Sequence, residues 1–251
     1  MRTTGVLKYG PNDRNRLSMF LPDKEEFPVF IYFHGGGIQA GDVGPDPGFF
    51  AKYLESRGIG LVTATYRLYP DTKYPEFIED AALAVKWVKE NIGTYGKCNG
   101  LFVGGSSAGG YLSMMLQFDE KYLGAHGINP LDINGYIHDA PQPTAHFVVI
   151  SKERGFDSRR IIVDDTAPLY HIGEAKQYSP IIMFAATNDL HGRLAQLNLV
   201  METLRHFGHP EDKMSLTVYE GGHVSYSCND TPCGKQFAEK IGDFIEEYMD
   251  K

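Results

Sequence analysis

The chain has 251 residues, 42% hydrophobic and 12% aromatic, enough to bury a sizeable core, so residues 1–251 are expected to form a single domain. A formal net charge of −8 and a pI near 5.6, with no basic run, argue against a nucleic-acid surface and against an anionic membrane. Cys98, Cys228 and Cys233 are too few and odd in number for a disulfide framework, and no Cys/His pair joins them at metal-ligand spacing. The opening MRTTGVLKYGPNDRNRLSMF has no apolar signal segment and no window is long enough to span a bilayer, so a cytoplasmic protein without metal or cofactor is expected.

Taken in chain order, apolar runs of strand length alternate with segments of helical period. Val6 to Leu21 reads as two strands joined through the turn-rich GPNDRN of Gly10 to Asn15. Val29 to Phe33, VFIYF, is continuously apolar, as a strand buried on both faces should be. Pro47 to Arg57 follows as a helix, and Leu61 to Tyr66 as another strand. From Pro75 to Ile92, residues Ile78, Ala82, Val85, Val88 and Ile92 recur on one helical face, with Glu76, Glu79 and Asp80 early and Lys86 and Lys89 late, as a helix dipole favours. Leu101 to Val103 reads as a short buried strand and Tyr111 to Phe118 as a helix. Strands are expected at Ile133–His138, Ile181–Ala186 and Ser215–Tyr219, and helices through Leu194, Leu197, Met201 and Leu204 and through Phe237, Ile241, Phe244 and Tyr248.

This alternation implies an α/β fold, a mostly parallel central sheet with helices on both faces and ligands gathered at the strands' carboxyl ends. Between Asp139 and Ser179 no period is visible, and Pro141, Pro143 and Pro168 interrupt the chain. A segment of that length is either a small lid over the site or a surface excursion with its own short helix.

Two glycine-rich motifs carry the chemistry. Gly105-Ser106-Ser107-Ala108-Gly109 fits G-x-S-x-G between a strand and a helix, and only Ser107 falls on its middle position. A nucleophile on so tight a turn needs neighbours without bulky side chains, and the helix N-terminus that follows favours developing negative charge. A glycine-rich packing or phosphate turn would show the same composition. The second motif, His34-Gly35-Gly36-Gly37, follows the strand VFIYF directly. The N–H groups of Gly36 and Gly37, with that of Ala108, would form an oxyanion hole, whereas His34 is expected to order the turn rather than move protons.

Together HGGG and GSSAGG resemble the motifs of the α/β-hydrolase fold and, within it, of the hormone-sensitive-lipase-like esterases, whose patterns read HGGG and G-D-S-A-G-G. The likeness extends through Tyr66-Arg67-Leu68-Tyr69-Pro70 to Tyr74-Pro75 and Glu79-Asp80, and covers most of the chain from Phe27 to His223. Small bacterial acetyl and feruloyl esterases and arylformamidases are similar as well. The resemblance implies a triad in the order nucleophile, acid, base. Asp189, after the strand IIMFAA, stands where the family carries its acid, and His223, after SLTVY, where it carries its base. An isolated aspartate there is commonly a helix cap. Asp164 or Asp165 as acid and His191 as base are competitors that fit less well.

Two departures matter. The family's acidic residue before the nucleophile is Ser106 here, and because the oxyanion-loop strand already begins at Val29 the family's long N-terminal cap is not expected. Short-acyl or carbohydrate-linked esters are therefore expected rather than long-chain lipids, with Tyr32, Tyr69 and Tyr170 as candidate lining residues. The expected function is a cofactor-free serine carboxylic-ester hydrolase using Ser107, His223 and Asp189. Its partner would be a small-molecule ester, with no nucleic acid and no membrane insertion, and a homodimer is left open. The alternatives are an arylformamidase or small peptidase with the same triad, and a non-catalytic ligand-binding protein on the hydrolase scaffold.

Overall fold

The computed structural model describes residues 1–44, 48–190 and 192–250. Eight strands form one sheet: β1 (Arg2–Lys8), β2 (Arg16–Leu21), β3 (Glu26–Phe33), β4 (Gly60–Ala64), β5 (Lys97–Ser106), β6 (Gly135–Asp139), β7 (Ile181–Asn188) and β8 (Met214–Gly222). Their spatial order is β1-β2-β4-β3-β5-β6-β7-β8. β1 pairs antiparallel with β2 and β2 antiparallel with β4, while every pair from β4 to β8 is parallel. The hairpin expected from GPNDRN is present as β1–β2, with β1 mostly exposed at the sheet edge.

Among the described residues the α-helices are α1 (Gly48–Ser56), α2 (Glu76–Asn91), α3 (Ala108–Phe118), α4 (Glu120–Gly124), α5 (Arg193–His206) and α6 (Pro232–Tyr248). Of the helix expected over Pro47 to Arg57, Pro47 lies outside the described residues. β7 shows how the two faces are built: period-2 alternation sends Ile182, Phe184 and Ala186 to Phe237 and Ile241 of α6, and Ile181, Met183 and Ala185 to Leu197, Val200 and Leu204 of α5. α2 buries Phe77, Ile78, Ala81, Val85 and Val88 in the cluster that also holds Val29, Ile31 and Phe33 of β3. Among the described residues no helix is long and apolar enough to cross a membrane.

The unpatterned stretch after β6 divides in two. Residues 140–146 are buried throughout, and most of 151–165 is exposed apart from a few half-buried positions. Between them Val149–Glu153 makes a π-helical turn, and Glu153 accepts from the Tyr74 N–H at 3.1 Å. Tyr111 of α3 donates to the Thr166 carbonyl at 2.7 Å, tying the return of this segment to the core.

Candidate active site

β5 ends at Ser106 and α3 begins at Ala108, so Ser107 alone makes the reversal. Its φ of 54° and ψ of −108° lie in a region that side-chain-bearing residues seldom adopt. The conformation is held by a 2.7 Å hydrogen bond from the Ser107 N–H to the Asp139 carbonyl and by Tyr111 N–H donating to the Ser107 carbonyl at 3.0 Å. Close approach explains the small neighbours: a Cβ on Gly105 would lie 2.5 Å from the Phe33 carbonyl oxygen, and one on Gly109 would run into the same atom.

His223, just beyond β8, places Nε2 2.8 Å from Ser107 Oγ, and its Nδ1 is 2.6 Å from Asp189 Oδ1 at the end of β7. A carboxylate only accepts, so Nδ1 carries the proton and Nε2 is left to accept from the serine hydroxyl. The Asp189 side chain is 1% exposed and also accepts from the N–H groups of Leu190 at 2.7 Å and Ala186 at 3.2 Å. Burial alone would raise its pKa, but the His223 bond and charge together with those N–H groups hold the carboxyl below its ordinary range.

The glycine loop runs against this elbow, since a Cβ on Gly35 would come within 3.4 Å of Ser107 Cβ. Gly36 and Gly37 have φ of +113° and +63°, and among the described residues neither N–H donates a hydrogen bond. Ala108 opens α3, where N–H groups have no intrahelical acceptor. The His34 ring stacks on Tyr66 at 4.5 Å and meets the Gly35 carbonyl at 2.6 Å, while Tyr66 donates to the His34 carbonyl at 2.8 Å. Arg67 holds Asp80 with two bonds of 2.8 and 3.0 Å, which joins the YRLYP segment to α2.

The competing acids Asp164 and Asp165 stand elsewhere. Asp164 pairs with Arg154 at 2.5 Å and caps Thr166, the Asp165 carbonyl accepts from Tyr74, and His191 lies outside the described residues. Tyr170 is 53% exposed, and Tyr32 packs edge-on against Phe30 with its hydroxyl 3.7 Å from Cys228 Sγ.

Sequence reasoning missed Asp139. In the β5–β6 register it sits opposite Ser106, fully buried, and Tyr226 donates to its Oδ1 at 2.7 Å while among the described residues Oδ2 has no partner at full hydrogen-bond geometry. Burial raises its pKa, with the Tyr226, Ser106 and Ser227 hydroxyls and the His223 charge acting in the opposite direction. The one available signal was its place at a strand's carboxyl end.

A model of the alpha/beta hydrolase fold matches residues 30–154. The chain has the alpha/beta hydrolase fold. It is 38% identical over 104 residues to Esterase LipI of Mycobacterium tuberculosis, covering 41% of this chain and 32% of that protein. It is 36% identical over 95 residues to carboxylesterase NlhH of the same species, covering 37% of this chain and 30% of the relative. The chain thus matches about a third of the length of these curated relatives. Among solved structures, Esterase B of Lactobacillus rhamnosis superposes with a TM-score of 0.79 at 16% identity, over 98% of this chain and 85% of that one. Thermogutta terrifontis esterase 2 phosphorylated by paraoxon superposes with a TM-score of 0.75 at 22% identity, over 96% and 93%.

Proposed function

We propose that this α/β hydrolase is a serine carboxylic-ester hydrolase acting on short-acyl or carbohydrate-linked esters. The observation that carries the reading is the unbroken relay from Ser107 Oγ to His223 Nε2 at 2.8 Å and from His223 Nδ1 to Asp189 Oδ1 at 2.6 Å. In the reaction, His223 Nε2 takes the hydroxyl proton as Oγ adds to the ester carbonyl. The carbonyl oxygen becomes negative against the N–H groups of Gly36, Gly37 and Ala108, each such donor typically worth roughly 3 kcal/mol of barrier. The tetrahedral species collapses, the C–O bond to the alcohol breaks, and the alkoxide leaves with the proton from Nε2. Water, deprotonated by the same nitrogen, then releases the acid from the acyl-enzyme. Esterase LipI and carboxylesterase NlhH support the reaction class by name.

Ser107→Ala tests it directly. Turnover of p-nitrophenyl acetate and butyrate should fall by as much as about 10⁶-fold, and a fluorophosphonate probe should label the wild type and not the variant. Activity retained in a clean preparation of the variant would end the proposal.

A further inference from the structure

Beside the triad lies a cavity of about 280 Å³ whose charge is opposite to that of the whole chain. Phe147 and Leu190 place it: the Phe147 ring tip is 2.8 Å from where a Cβ on Gly37 would be, and Leu190 follows Asp189. The cavity therefore borders both the oxyanion loop and the loop of the acid. Arg159, Arg160 and Arg193 line it, and among its described lining residues there is no Asp or Glu. Arg159 is neutralised by Asp157 at 2.5 Å. Arg160 makes no ion pair with a carboxylate among the described residues, although its charge is felt by Asp157, and it lies over the Phe156 ring at 5.0 Å.

Arg193, the first residue of α5, is the most telling group. It is 5% exposed, its Nη1 donates to the Ala140 carbonyl at 2.5 Å, and among the described residues no carboxylate lies at ion-pair distance and no acceptor meets its other N–H groups. Burial pushes its pKa down to about 10, with the charge of Asp189 opposing the fall. A guanidinium buried without a carboxylate is costly, and a ligand anion would relieve that cost. Thr144 and Gln196, bonded to each other at 3.3 Å, complete a polar wall, and the N-terminal end of α5 adds its partial positive charge.

We propose that this cavity binds a carboxylate carried by the substrate, so that the favoured esters bear an anionic group on the part remote from the scissile bond. The planar fork of a guanidinium matches a carboxylate, and such charge-assisted bonds are the stronger kind. The proposal rests on the esterase reading above and specifies its substrate class.

Two matched pairs test it by kcat/KM: 4-acetoxybenzoate against 4-acetoxybenzamide for the alcohol side, and the p-nitrophenyl monoester of adipate against p-nitrophenyl hexanoate for the acyl side. In at least one pair the anion should be preferred by about 10-fold or more at low salt, weakening as salt is raised. That ratio, taken within each variant so that overall turnover cancels, should fall toward one in Arg193→Met and in Arg160→Gln. The surface change at Arg160 keeps the test decisive if the buried one fails to fold. Equal rates in both pairs, or a preference unchanged in Arg160→Gln, would overturn the proposal. If no ester is hydrolysed, the esterase reading fails instead. The cavity is then judged by thermal shift with benzoate and adipate, where stabilisation of the wild type but not of Arg160→Gln supports it and no shift refutes it.

Discussion

Asp189→Asn is the sharpest test of how the relay works. The substitution keeps size and shape but removes the charge that faces His223 Nδ1 across 2.6 Å. As Ser107 gives up its proton the imidazole becomes cationic, with its charge centred about 4 Å from the carboxylate. At an effective dielectric constant near 20 the lost attraction is about 4 kcal/mol, or about 10³-fold in rate. The amide also presents a donor where Nδ1–H needs an acceptor, which favours the wrong tautomer, and comparable triads then lose about 10⁴-fold in kcat. The expected outcome is a kcat lowered by about 10³- to 10⁴-fold on p-nitrophenyl butyrate, with KM little changed and circular dichroism native. A folded Asp189→Asn that kept a tenth of wild-type kcat would refute the assignment, and Asp139→Asn, measured alongside, would show whether the other buried carboxyl near His223 does that work.

Three further outcomes follow from the same geometry. Gly37→Ala puts a Cβ 2.8 Å from the Phe147 ring at a φ of +63°, so kcat should fall by about 10²-fold with the fold retained, whereas Gly36→Ala drives a Cβ into the Ala40 carbonyl and should lower the melting temperature sharply. Burial pushes the pKa of both His138 and His146 down to about 3, below the unfolded value of about 6.5. The unfolded chain therefore binds more protons in that window, and stability, complete above about pH 6.5, should fall with acidification by about 1 kcal/mol per pH unit for each histidine. Asp139, raised by burial, opposes this by at most one proton, so urea midpoints that rose between about pH 6.5 and 5 would contradict the assignment. Ser106→Asp, with Asp139 retained, sets two buried carboxyls side by side and should cost about 3 kcal/mol in urea unfolding, while the swap Ser106→Asp with Asp139→Ser should recover most of it; a fully stable single variant would show the two side chains are not neighbours.

Elements with one dominant period were legible: the continuous apolar run of β3 and the single face of α2 lie where their patterns put them. β5 was readable only as Leu101–Val103 yet runs Lys97–Ser106, because Gly100, Gly104 and Gly105 look like breakers in sequence. In space Gly104 is a strand residue pressed against the Ile137 carbonyl, leaving no room for a Cβ. α4 is too short to show a period, and residues 140–165 follow none because a π-helical turn and scattered side-chain bonds shape them. At the site, the glycine motifs drew attention to Ser107, Gly36 and Gly37 because the tight turns they make are local. The bond between Tyr226 and Asp139 joins residues 87 apart and depends on strand register, so no local pattern could reveal it.

That register also accounts for the oddest residue of the elbow. The resembling esterases carry a carboxylate at the position of Ser106, and here Ser106 and Asp139 face each other across β5 and β6. Parallel strands lie about 4.8 Å apart, so a carboxyl moved one strand sideways remains beside Ser107 at the same height in the sheet. From β6 it gains reach: the backbone carbonyl of Asp139 holds the N–H of Ser107, and its side chain receives the hydroxyl of Tyr226, three residues after His223. One residue thus touches the backbone of the proposed nucleophile and the loop that carries the proposed base, two elements 116 residues apart in sequence. A serine at 106 leaves room for that link. An acid there would crowd it with like charge, which makes the change at 106 and the carboxyl at 139 two halves of one arrangement.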